Sequence, residues 1–72
     1  PYPMIIANIL AKPLMKLAPQ FAANLARDGD VILSGILAGQ RHKVLAAFRQ
    51  QGLYHQKTIW REGWVTLHLR AG

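Results

Sequence analysis

The amino-acid sequence predicts an α/β fold with a mixed β-sheet and the element order β-α-β-α-β-β. Two apolar runs of strand character, at residues 2–10 and 31–37, are each followed by a segment with helical periodicity. Strands that are separated by helices are expected to be parallel neighbours joined by right-handed crossovers. Two further β-rich runs are joined by a short turn at residues 61–63, so they are expected to form an antiparallel hairpin at the end of the chain.

The first strand and the first helical segment are predicted from hydrophobic patterning. Tyr2–Leu10 is mostly apolar without strict alternation, which is typical of a strand covered on both faces. Pro13 suits the first turn of the helix that follows. Pro19 interrupts the apolar stripe of this segment and cannot be an ordinary interior residue of a helix. We therefore expect one short helix that ends near Leu17 and a second helix that begins with Pro19 at its first position. The apolar stripe consists of Leu14, Leu17, Ala18, Phe21, Ala22 and Leu25.

A glycine-containing turn separates this helical segment from the second strand. Residues 27–30 are expected to end the helix, with Gly29 in the left-handed position that often follows one. The second buried strand begins with Val31–Leu33 and runs on to residue 37. The next helix is predicted over Gln40–Gln51, with Gly52 as its stop. The inner face of that helix is expected to hold Val44, Leu45 and Phe48.

The last two strands are predicted over Leu53–Trp60 and Trp64–Leu69. Apolar and polar residues alternate in the second of them, so one of its faces is expected to be more polar than the other. Trp60 and Trp64 flank the turn, and we expect these two rings to pack on each other across the hairpin rather than to form a base-stacking platform.

Length and composition limit the class of protein. The chain has 72 residues, of which 51% are hydrophobic, which indicates one small domain. A chain of this size buries only about 60% of the surface that its unfolded form exposes. No cysteine is present, so a disulfide framework and a thiolate metal site are both excluded. Polar residues interrupt every apolar run before the ~20 residues of a membrane span, and no signal-peptide pattern opens the chain. A cytoplasmic protein without a membrane partner is therefore expected.

The formal net charge of +6 raises the question of nucleic acid. Basic residues cluster at 41–49 and again at 57–70, and such clusters can neutralise phosphates with salt-dependent affinity. A small basic RNA-binding module is therefore one alternative for the function. The same charges also suit the solvated faces of a helix and a hairpin, which is the interpretation that we favour from the sequence.

Asn8 is the leading candidate for a ligand-binding residue. It lies near the end of the first apolar run, and in open α/β sheets the ligands bind at the carboxyl ends of the strands. Its amide has both an acceptor and a donor to offer. Ser34 follows the second apolar run, Val31–Leu33, so Asn8 and Ser34 together mark a possible ligand edge. An asparagine in this position is also common in turns and caps, so Asn8 alone does not identify a ligand.

The sequence contains few residues or motifs that indicate catalysis or metal binding. The only acidic residues are Asp28, Asp30 and Glu62, and the first two flank a glycine as turn residues do. The histidines lack the short spacing of zinc ligands, so no metal site is expected. The nucleophile pattern Gly-x-Ser-x-Gly and the dinucleotide-binding fingerprint are both missing. The residues by themselves therefore indicate an α/β chain with a possible ligand edge and without a complete catalytic apparatus.

Four segments, taken in order, resemble a known enzyme family. They are Ile6–Leu14 (IANILAKPL), Leu17–Pro19 (LAP), Leu33–Leu37 (LSGIL) with Gln40, and Glu62–Leu67 (EGWVTL). Together they resemble the carboxyl-terminal part of the ribosomal-protein lysine methyltransferases of the PrmA type, which modify ribosomal protein eleven of the large subunit. The resemblance covers nearly all of the chain. The combination of the Ala-Asn-Ile-Leu-Ala run with Ser-Gly-Ile-Leu at the next strand is specific to that group.

This resemblance implies the carboxyl-terminal half of a seven-stranded, Rossmann-like sheet of an S-adenosylmethionine-dependent methyltransferase. The chain would supply strands four to seven of that sheet. The resemblance also implies that Asn8 contacts S-adenosylmethionine at the end of strand four. Methyl transfer to an amine depends on alignment rather than on a covalent enzyme intermediate, which agrees with the scarcity of catalytic residues. The family usually has an acid just before this strand, where the present sequence has Tyr2 and Pro3.

The resemblance also implies that essential parts lie upstream of residue 1. These are the glycine-rich cofactor loop, the acid that binds the ribose, and the amino-terminal domain that recognises the ribosomal protein. We therefore expect the 72 residues alone to show no detectable methyl transfer. The strand at Met4–Ile9 would also lose its sheet neighbour, and its unpaired edge is expected to cause self-association.

A methyltransferase that acts on RNA or on a glutamine amide is the alternative within the enzyme class. Such enzymes also carry an asparagine at the end of this strand, usually followed by two prolines and an aromatic residue that stacks on a planar target. Here Ile9, Leu10 and Ala11 follow Asn8 instead, which disfavours a planar target.

Overall fold

The computed structural model describes residues 1–72 and has a four-stranded sheet with two α-helices. The predicted element order β-α-β-α-β-β is confirmed. A single turn of 3-10 helix at Ala38–Gln40 precedes the second α-helix. The elements are β1 (Tyr2–Asn8), α1 (Ala11–Asn24), β2 (Leu25–Leu37), α2 (Arg41–Arg49), β3 (Leu53–Arg61) and β4 (Trp64–Ala71).

The sheet is mixed and its strands lie in the order β1-β2-β4-β3. β1 and β2 are parallel, whereas β4 is antiparallel to both β2 and β3. The predicted parallel pair and terminal hairpin are therefore confirmed, and the reversed strand lies between β2 and β3. Because β1, β2 and β3 run in the same direction, their last residues, Asn8, Leu37 and Arg61, mark one edge of the sheet. We call this edge the carboxyl edge.

Both helices pack on the same face of the sheet. One core cluster joins buried residues of α1 and α2 to the two central strands, β2 and β4. Val31 pairs with Leu69 and Leu33 pairs with Leu67, and all four side chains are buried. Full burial of one such aliphatic side chain contributes about 1.5–3 kcal/mol to stability. The helices add Leu14, Ala18, Val44 and Phe48 to this cluster.

The opposite face of the sheet, which we call the open face, is covered by no helix of this chain. Ile6 pairs with Ile32, and both lie on the face opposite to Val31 because side chains alternate along a strand. Ile6 is 71% exposed. Within these 72 residues only one face of β1 is covered, because both helices pack on that face. The expectation that residues 2–10 form a strand covered on both faces stays a prediction. Self-association through the edge of β1 stays a prediction.

α1 is one continuous helix with Pro19 inside it, so the predicted break between Leu17 and Pro19 is wrong. Pro19 is exposed, and water can reach the carbonyl group that its missing N–H leaves unpaired. Leu14 and Ala18 are buried on the inner side of the same helix. Burial of this continuous apolar face offsets the cost of an interior proline, about 3 kcal/mol. Pro13 lies in the first turn, as predicted. Neither helix combines the length and the apolar character that a membrane crossing needs.

The connection between α1 and β2 also differs from the prediction. α1 ends at Asn24, and Leu25 is already extended and pairs with Tyr2. The pairing then jumps to Met4 and Asp30, so residues 26–29 form a bulge. The left-handed residue in this bulge is Asp28, with φ 58°, and not Gly29. Gly29 is needed for close packing instead, because a Cβ there would lie 2.7 Å from the Ala26 carbonyl oxygen.

The second half of the chain follows the predicted pattern more closely. Gly52 ends α2 with φ +80°, as expected of a helix stop. The hairpin turn has two residues, Glu62 and Gly63, both with positive φ. This turn makes Arg61 pair with Trp64 and Trp60 pair with Val65. Adjacent residues of a strand face opposite sides, so the two tryptophan rings lie on opposite faces of the sheet, and the prediction that they pack on each other is wrong.

Candidate functional site

Asn8 and Ser34 lie side by side at the carboxyl edge. Asn8 is the last residue of β1 and pairs with Ser34 of β2 in the parallel register. Both are on the open face, since they share a register position two residues beyond Ile6 and Ile32. The Ser34 hydroxyl donates a long hydrogen bond, 3.4 Å, to the Ala7 carbonyl oxygen. The sequence therefore located this pair correctly from the ends of its two apolar runs.

The Asn8 side chain is exposed, and none of the side-chain hydrogen bonds in the structure involves its amide. A free amide at a strand end can both accept and donate a hydrogen bond to a ligand. The amide of Asn8 is therefore free to interact with a ligand at this edge. The turn or cap role that the sequence also allowed for Asn8 is not the one that the structure shows.

Gly35 makes room for this amide. Its φ is +80°, and a Cβ at this position would lie 2.5 Å from the Asn8 Oδ1 atom. β2 has an irregularity in its pairing with β4 between Leu33 and Ile36, so the backbone at Gly35 leaves the regular ladder. Bulges of this kind are common next to functional sites because they redirect a segment of backbone. Gly35 thus has both a conformational and a steric reason to be glycine.

A cleft of about 430 Å³ opens beside this pair. One wall is formed by Asn8, Ser34 and Gly35, and the opposite wall comes from the β3–β4 hairpin. Trp64 is 45% exposed and presents a large aromatic side chain to the cleft. The hairpin residues that line the cleft are Ile59, Arg61, Glu62, Trp64, Val65 and Thr66.

Sequence reasoning missed this second wall. The sequence does not show that β4 pairs with β2 as well as with β3. This pairing brings the hairpin next to the carboxyl edge. The alternation of Trp64, Thr66 and His68 with buried Val65 and Leu67 was the available signal. It shows which residues share the open face with Ser34, but only the strand order shows that they are neighbours.

The charged groups of the cleft are one guanidinium, Arg61, and one carboxylate, Glu62. No group of three or more His, Asp and Glu side chains that could hold a metal ion is present. Two other clefts, of about 390 Å³ each, lie away from Asn8. The cleft at the carboxyl edge is therefore the one that combines a free amide, an aromatic wall and charged groups.

A separate charged cluster lies on the open face, near the start of the regular part of β2. The Asp30 Oδ1 atom accepts hydrogen bonds from His68 Nε2 at 2.7 Å and from Arg70 Nε at 2.9 Å. These two hydrogen bonds, that of His68 first, hold the pKa of Asp30 below its ordinary value of 3.8. The cluster ties β2 to β4 across the sheet, since Asp30 pairs with Arg70 and Ile32 pairs with His68.

The lowered pKa of Asp30 makes stability depend on pH in acid. The folded state favours the ionised carboxylate, so the stabilisation is complete above the unfolded pKa and is lost as the pH falls through the lower folded pKa. We expect Asp30→Asn to flatten the decline of the unfolding midpoint between about pH 5 and about pH 2. Urea titrations at a series of pH values measure this slope. Asp28→Asn is the matched control because Asp28 forms neither ion pair of the chain. Equal slopes in the two variants would contradict the assignment.

Comparison with known proteins places this geometry in a family. Residues 1–72 match the model of the family described as "Ribosomal protein L11 methyltransferase (PrmA)". Relatives with the name ribosomal protein L11 methyltransferase are 68% identical in Rhizobium meliloti and 63% identical in Allorhizobium ampelinum. These matches cover 96% and 97% of this chain, and 24% of each relative. The chain thus spans about a quarter of the length of these relatives.

The fold is also that of a solved structure. The crystal structure of a ribosomal protein L11 methylase from Lactobacillus delbrueckii subsp. bulgaricus superposes with a TM-score of 0.90 and 34% sequence identity. The match covers 97% of this chain and 37% of that structure. The four-stranded sheet is thus part of a methyltransferase fold, and the resemblance inferred from the four sequence segments is confirmed. With the family model matched from the first residue to the last, this chain belongs to the PrmA family of ribosomal protein L11 methyltransferases.

Proposed function

We propose that this chain is the carboxyl-terminal part of the catalytic domain of an S-adenosylmethionine-dependent methyltransferase that modifies lysine and amino-terminal amines of ribosomal protein L11. Family membership supports the reaction and the substrate protein. The main observation in support of this cofactor site is the free amide of Asn8 beside Gly35 at the carboxyl edge. A protein that methylates a ribosomal protein works where ribosomes are assembled, so we place it in the cytoplasm.

The residues of the cleft fit this cofactor. Asn8 offers a donor and an acceptor without competition from the rest of the chain. Gly35 leaves the floor of the cleft free of a side chain, and Trp64 and Ile59 supply apolar wall. When bound, S-adenosylmethionine supplies a methyl group on a positively charged sulfur, which an uncharged amine can accept. A free amide, a bare backbone segment and an aromatic wall are what such a polar and cationic ligand requires.

The chain's own residues act by positioning. Asn8 is assigned to orient the cofactor near the methyl-transfer centre, and this fixed geometry can supply much of the rate enhancement. Trp64 and Ile59 limit the access of water from the hairpin side. Glu62 and Arg61 place one negative and one positive charge among the lining residues. No covalent nucleophile is needed in this scheme, which agrees with the residues present.

Amines remain favoured over planar targets. Ile9 and Leu10 follow Asn8, and Leu10 is exposed at the start of α1, so no aromatic residue stands directly after the amide in the chain. Methylation of RNA or of a glutamine amide is therefore the less favoured alternative. The upstream parts expected to bind the ribose and the substrate protein are outside these 72 residues, and we expect the 72 residues alone to be inactive.

Replacement of Asn8 tests this proposal. In the full-length protein, Asn8→Ala is expected to weaken S-adenosylmethionine binding by about tenfold or more, the loss expected for one hydrogen-bonding group facing a charged ligand. Isothermal titration calorimetry measures the affinity, and methylation of ribosomal protein L11 measures the activity. Asn24→Ala is the matched control, because Asn24 lies at the other end of the sheet and bonds only to the Gln20 carbonyl oxygen, at 2.8 Å.

Two results would count against the proposal. Unchanged affinity in Asn8→Ala would remove this residue from the cofactor site, whatever the activity. Equal losses in Asn8→Ala and Asn24→Ala would show that the effect comes from general destabilisation and not from the cleft.

A further inference from the structure

A second surface, separate from the methyl-transfer cleft, lies between α2 and the outer edge of β3, where Trp60 faces the helix side and Tyr54 lies beside Arg49 at the strand edge. We call it the α2–β3 groove. Its central part is a depression of about 390 Å³, bounded by Leu45 and Arg49 on the helix and by Tyr54 and His55 on the strand. Arg41 and Trp60 lie farther along the same helix and strand, nearer the hairpin, and we include them in the groove. β3 is an edge strand that pairs only with β4, so this groove opens to solvent along one side.

Two arginine–aromatic pairs lie between α2 and β3. The Arg41 guanidinium carbon lies 5.4 Å from the centroid of the Trp60 ring, and the Arg49 guanidinium carbon lies 4.3 Å from that of Tyr54. Arg41 Nε also donates to Thr58 Oγ1 at 3.1 Å. Each pair therefore places a cation and an aromatic face in a defined orientation, and the rings remain accessible, with Trp60 62% exposed.

The charged residues of α2 and β3 are all basic. Residues 40–61 contain five of the nine Lys and Arg residues and two of the three His residues, and no Asp or Glu. Of the three acids in the chain, Asp30 forms ion pairs with His68 and Arg70, and Glu62 lines the cleft at Asn8. The positive charge of the groove is thus not neutralised by the chain itself. The five basic residues of this segment are Arg41, Lys43, Arg49, Lys57 and Arg61. Arg41 and Arg49 belong to the groove, whereas Arg61 lines the cleft at Asn8.

We infer that the α2–β3 groove binds single-stranded RNA. Proteins that bind single strands combine a basic groove along the phosphate backbone with aromatic rings on which bases stack. Arg41 and Arg49 are eight residues apart on one helix, about 12 Å, so they can contact successive parts of one strand. An acidic peptide would use the charges, but it does not carry a planar ring at every residue as a single strand of RNA does. A duplex hides the faces of its bases, so it cannot stack on Trp60 and Tyr54.

This inference does not depend on the methyl-transfer proposal, because no groove residue lines the cleft at Asn8. The groove and the cleft are separated by the sheet edge at the hairpin, where Trp60 faces the helix side and Trp64 faces the open side. A bound RNA strand would therefore leave the cleft free.

Fluorescence anisotropy with the full-length protein and a labelled, unpaired RNA of about 12 nucleotides tests the inference. With about three phosphates neutralised, binding should weaken about 20-fold between about 50 and about 200 mM salt. Trp60→Ala should weaken binding about tenfold without changing the salt slope, because it removes stacking and no charge. Trp60→Phe should recover most of the loss. Circular dichroism shows whether each variant is folded.

The electrostatic contribution to RNA binding is tested with a separate double variant and its own control. Arg41→Gln with Arg49→Gln should lower the salt slope by about 1.4, since each phosphate contact contributes about 0.7. Lys12→Gln with Lys16→Gln removes the same charge from α1 and should leave the slope nearly unchanged. Equal effects of the two double variants, or no RNA binding at the lower salt concentration, would overturn the inference. So would polyglutamate of matched length, if it bound as tightly as RNA and with the same loss in Trp60→Ala.

Discussion

If the proposed function is right, Gly35→Ala in the full-length protein is expected to lower kcat/KM for methylation of ribosomal protein L11 by about 100-fold, the loss that a misplacement of about 1 Å can cause at a reacting centre. The added Cβ would lie 2.5 Å from Asn8 Oδ1, well inside van der Waals contact. The group it meets is the end of an exposed side chain, so the Asn8 amide will rotate away rather than unfold the strand. The substitution therefore displaces the amide from the position that the cofactor is proposed to use.

A backbone effect accompanies this steric effect and can be separated from it. Gly35 has φ +80°, and an L-residue in the left-handed region costs roughly 1–2 kcal/mol. Gly52 also has φ +80°, but a Cβ there would meet no atom within 4 Å. Gly52→Ala is therefore the matched control, with the same backbone strain and no contact with the cleft. Both variants are expected to lose similar stability in urea unfolding, while only Gly35→Ala loses cofactor affinity.

A double-mutant cycle makes the assignment sharper. If Gly35 acts through Asn8, then Gly35→Ala should cause little additional loss of affinity in a protein that already carries Asn8→Ala. Additive losses would show that Gly35 affects the cofactor by another route. Equal affinity losses in Gly35→Ala and Gly52→Ala would show that backbone strain alone explains the effect.

The sequence predicted the elements that depend on local patterning. The apolar runs predicted that Asn8 and Ser34 lie at one edge of the sheet, and the structure pairs these two residues there. The hairpin and the stop at Gly52 followed from glycine positions, because left-handed backbone is a local requirement. What patterning could not show is that the β4 strand pairs with β2, which brings Trp64 and Thr66 to the opposite wall of the cleft.

The errors share a physical cause, which is that tertiary packing decided between local alternatives. Pro19 breaks helices in isolation, yet the buried side at Leu14 and Ala18 keeps α1 continuous. The left-handed position expected at Gly29 lies at Asp28, because the bulge at residues 26–29 is set by the pairing of β1 with β2. The apolar character of β1 does not show which element covers each of its faces. Within these 72 residues the helices cover one face, and Ile6 is exposed on the other.

Phe48→Ala is expected to lower the free energy of unfolding by about 3–5 kcal/mol, the range for loss of a large buried aromatic side chain that leaves a cavity. Phe48 is completely buried on the inner face of α2 and contacts Phe21 of α1 edge-to-face, with ring centroids 5.7 Å apart. It therefore joins both helices to the sheet. Amide hydrogen exchange of β2 and β4 in the full-length protein measures the effect locally, and exchange that proceeds through opening of this core should accelerate on the order of 100-fold or more.

Phe21→Ala is the comparison that assigns this loss to burial. It removes the same ring pair, but Phe21 is only partly buried, so less apolar surface is lost and the expected cost is about half. Exchange in β2 and β4 should accelerate clearly less in Phe21→Ala than in Phe48→Ala. Equal acceleration would mean that the contact between the two rings, and not the burial of Phe48 against β2 and β4, holds the helices on the sheet. In that case the two helices would cover the sheet only as a pair, and removing either ring would detach both helices from it.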